Sequence, residues 1–333
     1  MTKNDNKMDF LAIGDIVVDA FIKLKDAQID GIPDTPSYKI CIPFADKVPY
    51  EDVFVVSAVG NAGNAAVSAA RLGLKTALVT NVGDDREGED CLSVLKKEKI
   101  DPSFIKINEN AKTNYHYVLW YGAERTILIK HQDYKYTLPE IGNPKWIYFS
   151  SVNETAFPFH LQLADYLDSH PDIKLAFQPG KFEIKLGKEK LARLYKHAKM
   201  FFCNVEEAEK ILGIEDLGVK DLLKKMHELG PENVIITDGP KGAYAYDGKE
   251  IYFINPYPDP KPPYSRTGAG DAFSSTIVSA TILGKTLPEA MAWGGINAMS
   301  VVQQVGAQKG LLSQEKIEEY LKNAPIDYKA TKL

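Results

Sequence analysis

Short apolar runs, each followed by a turn and a longer amphipathic stretch, recur along most of this chain. Compact apolar runs bounded by turn formers read as strands, and apolar positions recurring every three to four residues read as helices. The pattern predicts strands over 10–16, 76–82, 146–150, 174–178, 200–204 and 233–237. It predicts helices over 62–72, 87–97, 157–170, 188–197, 205–212 and 219–229. Strands alternating with helices imply βαβ units, and so an α/β fold: a doubly wound, mainly parallel sheet with helices on both faces.

Two segments break the rhythm. Residues 19–56 carry prolines and short β-like pieces without a helix, and residues 114–131 alternate apolar and polar positions around Gly122, as a hairpin does. Together they are expected to form a small β lid over the carboxyl edge of the sheet, because long excursions usually carry function; two plain surface excursions would satisfy the same pattern. After Pro263 come two apolar helices, 269–283 and 287–304, joined at Gly284, with Pro288 in the first turn of the second. A short helix over 313–321, with Ser313 as N-cap, closes the chain. At 333 residues the whole chain, 1–333, is expected to be one large α/β domain.

Composition narrows the function classes. With 40 Lys+Arg against 45 Asp+Glu the net charge is -5, so no global basic field draws in a nucleic-acid backbone. The three cysteines, Cys41, Cys91 and Cys203, are far apart, which argues against a disulfide framework or a CxxC metal site and fits a reducing cytoplasm. The start is polar and no long uncharged apolar stretch follows, so a soluble, unexported protein without a membrane anchor is expected. The six histidines, at 116, 131, 160, 170, 197 and 227, form no ligand-like cluster in the sequence. Tyr115, Tyr117, Trp120 and Tyr121 in the hairpin read first as packing residues.

The candidate chemistry centres on Arg266-Thr267-Gly268-Ala269-Gly270-Asp271, which opens a long apolar helix. Small residues there leave backbone N–H groups exposed at the positive helix end, a place for an anion and for the charge a phosphoryl group gathers in transfer. A carboxylate at Asp271 would be placed to take the proton of an attacking hydroxyl. The same residues also describe a plain glycine-rich helix start in which Asp271 only favours the helix dipole. Asp15 and Asp19 follow the first strand, at the edge where α/β sheets bind ligands, and carboxylates suit polyol hydroxyls. Asn204 and Glu207 have the spacing of a helix cap. The Gly60–Asn64 region lacks the regular G-x-G-x-x-G spacing of a dinucleotide fingerprint, and no Walker A sequence occurs.

Thr267–Phe273, TGAGDAF, resembles the C-terminal signature of ribokinase-like (PfkB) carbohydrate kinases. The resemblance implies that Gly268, Ala269 and Gly270 form an anion hole and that Asp271 is the catalytic base. Val59-Gly60-Asn61-Ala62-Gly63-Asn64 is similar to the family's N-terminal signature, with Val59 where a glycine is usual. That implies a close approach of Gly60, Asn61 and Asn64 to the acceptor, and a grip on its hydroxyls by Asp19, beside Asp15. Asn204-Val205-Glu206-Glu207 looks like the family's N-x-x-E element; it implies that Asn204 and Glu207 organise Mg²⁺ and phosphates, Glu207 through water. Thr237, Gly239, Lys241 and Gly242 fit the family's nucleotide-side turn, and the likeness extends to Asn297 as a lining of the adenine pocket. ATP and Mg²⁺ are the implied donor and metal. The family often carries an aspartate two residues before the threonine to hold a monovalent cation; Ser265, followed by Arg266, stands there, so the resemblance does not reach that cation site. Some members pair through their lids, which makes a homodimer an expectation.

The leading reading is therefore an ATP-dependent kinase acting on a hydroxyl of a small sugar. A nucleoside kinase of the same family is the alternative, and a catalytically silent nucleotide- or sugar-binding regulator is the alternative of another class.

Overall fold

The computed structural model describes residues 7–32, 37–122 and 124–333. Residues 33–36 and 123, inside the two segments expected to form a lid, and 1–6, in the polar start, lie outside the described residues.

In chain order the strands are β1 (Phe10–Ile13), β2 (Val17–Leu24), β3 (Gln28–Asp30), β4 (Lys39–Cys41), β5 (Tyr50–Val59), β6 (Thr76–Gly83), β7 (Ile105–Asn108), β8 (Tyr115–Tyr121), β9 (Glu124–Leu128), β10 (Trp146–Phe149), β11 (Lys174–Phe177), β12 (Ala198–Asn204), β13 (Asn233–Thr237), β14 (Ala243–Tyr246), β15 (Ile251–Ile254) and β16 (Thr331–Lys332). The helices are α1 (Asn61–Arg71), α2 (Arg86–Lys97), α3 (Phe157–Ser169), α4 (Lys181–Leu186), α5 (Ala192–His197), α6 (Val205–Leu212), α7 (Val219–Glu228), α8 (Ala269–Ile282), α9 (Leu287–Val302) and α10 (Gln314–Lys322).

The main sheet runs β16-β15-β14-β13-β12-β11-β10-β1-β6-β7. It is parallel from β7 to β13 and antiparallel beyond. β1, β6 and β10 are buried at every position, which is why they read as unbroken apolar runs. Alternate residues serve the two faces. Phe10 and Ala12 pack with α1, α8 and α9, around Trp293; Leu11 and Ile13 pack with α3, α5, α6 and α7. No helix among the described residues is long and apolar enough to cross a membrane.

A second sheet, β5-β2-β8-β9, is built from the two segments that broke the rhythm. Here the structure departs from the predicted strand over 10–16. The first strand ends at Ile13, and Gly14 then passes so close to Ser150 that an added Cβ would meet its Oγ at 2.5 Å. The chain then leaves the main sheet and starts β2 at Val17. Asp15 thus sits in the turn beyond β1, whereas Asp19 lies inside a strand of the second sheet. The predicted helix over 188–197 forms only from Ala192, after α4 ends at Gly187 with a left-handed φ of 88°.

Candidate active site

The start of α8 is shaped by one glycine. Gly268 has φ 82°, and a Cβ on it would lie 2.2 Å from the Cβ of Ala307. No other residue type fits that left-handed, crowded position without displacement. Gly268 is the N-cap, offers no side-chain cap, and accepts from the Ala272 N–H at 2.9 Å through its carbonyl. The N–H groups of Ala269, Gly270 and Asp271 therefore open the helix without a capping side chain, at its positive end. Just before the turn, the Ser265 hydroxyl lies 3.1 Å from that of Thr267 and accepts from the Thr267 N–H.

Asp271 is held by two amides. Asn64 donates from Nδ2 to Oδ2 at 2.7 Å, and Gln178 donates from Nε2 to Oδ1 at 3.1 Å. Both amides are themselves fixed. Gln308 donates to Asn64 Oδ1 at 3.2 Å, and the Tyr148 hydroxyl donates to Gln178 Oε1. Burial pushes the Asp271 carboxyl above the ordinary aspartate value; the bonds from Asn64 and Gln178 and the charge of Arg125 pull it back down.

Asp271 faces a cleft of about 730 Å³ between the strand ends of the main sheet and the second sheet. Asp15, Asp19, Gly60, Asn61, Asn64, Asn204, Glu207, Thr237, Gly268 and Gly270 line the same cleft. An adjoining, more apolar cavity of about 530 Å³ is lined by Gly239, Gly242 and Ala269, and shares Thr237 and Gly270 with the cleft. Two of the expected site residues line neither. Lys241 is exposed, with its ammonium 3.6 Å from Asp238. Asn297 is fully buried, donating to Thr276 Oγ1 at 2.7 Å and accepting from the Leu312 N–H at 2.9 Å. Helical rotation points Gly295, Ala298 and Met299 of α9 at the cavity instead. The likeness that made Asn297 a pocket lining is corrected on that ground.

The carboxylates differ in what they leave free. Asp15 accepts from the Tyr136 hydroxyl at both oxygens, 2.9 and 2.8 Å, and from the Asn153 N–H at 3.0 Å; His131 Nδ1 lies 3.3 Å away. It organises the cleft floor. Asp19 lies opposite His116 in the β2–β8 register, with Nδ1 3.3 Å from Oδ1, yet that oxygen and His116 Nε2 are buried without an aligned hydrogen bond. Such unpaired groups are costly away from water and point to a ligand.

At the start of α6, Asn204 Oδ1 accepts from the Glu207 N–H at 2.8 Å, and Glu207 Oε2 accepts from the Asn204 N–H at 2.9 Å. This is a capping box whose glutamate also lines the cleft. Burial raises the Glu207 carboxyl, the bond from the Asn204 backbone opposes it, and the charge of Asp271 adds to the rise.

Sequence reasoning missed Gln178, Arg125, His116 and His131, all of which line the cleft. Gln178 is the first residue past β11, where an α/β sheet places ligand groups; Arg125 and the histidines carry no local signal. Of the hairpin aromatics Trp120 packs, donating to Gly122 O at 2.8 Å and meeting Tyr264 edge-on at 5.1 Å, whereas Tyr117 is half exposed.

A family model described as pfkB family carbohydrate kinase matches residues 26–314. The chain is 25% identical over 316 residues to an ATP-dependent 6-phosphofructokinase of Thermoanaerobacterium thermosaccharolyticum, covering 91% of each. It is 26% identical over 279 residues to a nucleoside kinase of Methanocaldococcus jannaschii, covering 80% of this chain and 86% of that one. Its fold matches that of Arabidopsis thaliana ribokinase, solved with ribose and ATP, at a TM-score of 0.76 and 18% identity, over 95% of this chain and 99% of that one.

Proposed function

Since the chain belongs to the pfkB family of carbohydrate kinases, we propose that it transfers the γ-phosphoryl group of ATP to a hydroxyl of a small sugar, with Asp271 as the base. Membership makes it a phosphotransferase with a hydroxyl acceptor and a ribokinase-like fold. The observation that carries the finer reading is Asp271 itself: a carboxylate raised by burial, aimed by Asn64 and Gln178, beside an uncapped helix start.

The acceptor lies in the larger cleft, its hydroxyls beside Asn61 and on Asp19 Oδ1, which has no aligned hydrogen bond. Asp15 and Asn64 act through their neighbours, Asp15 by fixing the cleft floor and Asn64 by orienting Asp271. The nucleotide lies in the adjoining cavity, along Thr237, Gly239 and Gly242, with its phosphates reaching the shared Gly270. As the acceptor oxygen bonds to the γ-phosphorus, its proton passes to Asp271. The bond from phosphorus to the β,γ-bridging oxygen breaks, and its electron pair leaves on ADP. The N–H groups opening α8 meet the charge that develops.

Mg²⁺ fits Asn204 and Glu207: the capping box uses Glu207 Oε2, leaving Oε1 for the cleft, where a carboxylate bonds to the water shell of such an ion. When bound, the ion neutralises phosphate charge.

The second sheet serves as the lid, excluding water from the cleft. Its outer face carries the row Val55, Ala20, Tyr117 and Leu128, of which Val55, Tyr117 and Leu128 are half exposed. An apolar face of that kind suits pairing with a second copy; sedimentation as a monomer at all concentrations would remove that pairing.

A nucleoside acceptor is the second reading. It is favoured by the apolar wall of Val17, Ile127, Ile129 and Phe182, where Phe182 sits edge-on to His131 at 5.2 Å. Coupled ADP release with Mg-ATP against sugars, sugar phosphates and nucleosides separates the two. Silence across that panel, with nucleotide bound, would instead support a regulator.

A further inference from the structure

Arg125 enters the cleft from the second sheet, and the register shows how. Arg125 pairs with Trp120, Ile127 with Val118, and Val118 with Phe21. Alternation along the strands then places Arg125 on the same face as Phe21, Asp19 and His116, the face that lines the cleft. Arg125 is half-buried, and its Nε is buried without a hydrogen bond. A buried N–H donor left in that state is unfavourable until an acceptor arrives.

Two contacts fix where along the cleft it stands. The neighbouring Glu124 lies 3.7 Å from Arg266, and Trp120 meets Tyr264 edge-on at 5.1 Å. Both fasten the hairpin to the chain just ahead of Gly268. Arg125 therefore faces the opening of α8. Burial draws its guanidinium below the ordinary arginine value, opposed by the charges of Glu124, Asp271 and Asp19; an arginine stays charged through such a shift.

We propose that Arg125 is a further catalytic residue, which contacts the phosphoryl group as it passes from the nucleotide to the acceptor. The proposal rests on the kinase reading above. A phosphoryl group in transfer must approach Asp271, and two negative groups repel in a site shielded from water. Its charge spreads over the three equatorial oxygens. The N–H groups of α8 reach those oxygens from the main-sheet side, and Arg125 reaches them from the second sheet. A permanent anion on the acceptor would instead rest beside Asp19 and Asp271 throughout binding, which is the less favourable place for it.

The test is titration calorimetry of the full chain with Mg-ADP alone and with Mg-ADP plus aluminium fluoride, a mimic of the group in transfer. It compares the parent, Arg125→Gln and Arg125→Lys. The parent binds the mimic complex more tightly than ADP. Arg125→Gln keeps its ADP affinity within about threefold, which also reports an intact fold, and loses about 10²-fold of affinity for the mimic. Arg125→Lys recovers part of that loss. With an acceptor in hand, kcat falls in parallel while the acceptor KM holds. An equal gain from the mimic in the parent and in Arg125→Gln overturns this role and leaves the kinase reading standing. A raised acceptor KM with unchanged kcat also overturns it, and assigns Arg125 to an anionic group on the acceptor. A parent that binds no ADP overturns both.

Discussion

Asn64 Nδ2 donates to Asp271 Oδ2 at 2.7 Å, joining the start of α1 to the start of α8 across 207 positions of sequence. The contact couples the two glycine-rich turns that the sequence holds apart. Asn64 thus has its amide nitrogen on Asp271 and its amide oxygen on Gln308 Nε2.

A pH dependence follows from that bond. Burial raises the Asp271 carboxyl, and the amides of Asn64 and Gln178 lower it. The base works only when ionised, so kcat/KM falls as pH drops through its pKa, and the acid limb stands above the ordinary aspartate value of about 4. Asn64→Ala removes a donor to the ionised form and moves the limb to higher pH. The pH profile of kcat/KM in both proteins checks this, and an unmoved limb contradicts the aiming role.

Gly268 and Gly270 are expected to separate folding from chemistry. At Gly268 an added methyl meets Ala307 at 2.2 Å and φ is 82°, so Gly268→Ala loses at least about 1–2 kcal/mol and unfolds at lower temperature. At Gly270 an added methyl meets nothing within 4 Å, and the residue is helical, so Gly270→Ala gains about 0.5–1 kcal/mol. That methyl enters the space shared by the two cavities, and activity falls although stability rises. Thermal melts beside turnover measurements read both, and a Gly270→Ala protein with full activity would move the phosphoryl path elsewhere.

Local signals were legible in the sequence, and long-range ones were not. The strand over 233–237 and the helix over 205–212 matched β13 and α6 because an apolar run and a cap at Asn204 are local properties. TGAGDAF marked the start of α8 for the same reason: a left-handed glycine and an uncapped helix start lie within a few residues. Asp19 stood at the edge of the expected lid segment over 19–56, but the break after Ile13 was not legible, because the neighbour that leaves room only for glycine at Gly14 is Ser150, far along the sequence. Gln178 and Arg125 went unread since their meaning comes from Asp271, a partner on another element. Asn297 misled because α9 is apolar nearly all round, so its sequence does not reveal which side faces the cavity.

Glu207 has a structural role and a proposed metal role, and one substitution divides them. Glutamine keeps an oxygen for the Asn204 N–H, so Glu207→Gln preserves the capping box and the thermal midpoint. It removes the charge that holds the hydrated ion, so the Mg²⁺ concentration for half-maximal rate rises about 10-fold or more. A Mg²⁺ titration of the rate at fixed ATP checks this, and an unchanged midpoint would leave Glu207 as a cap alone.

The most direct test of the central claim is steady-state turnover of Asp271→Asn with the best acceptor from the panel, beside its nucleotide affinity. Asparagine preserves the shape of the side chain but cannot take the proton. The account predicts that kcat falls about 10²-fold or more while nucleotide binding stays within about threefold of the parent. Turnover close to that of the parent would contradict it, and would remove Asp271 as the base.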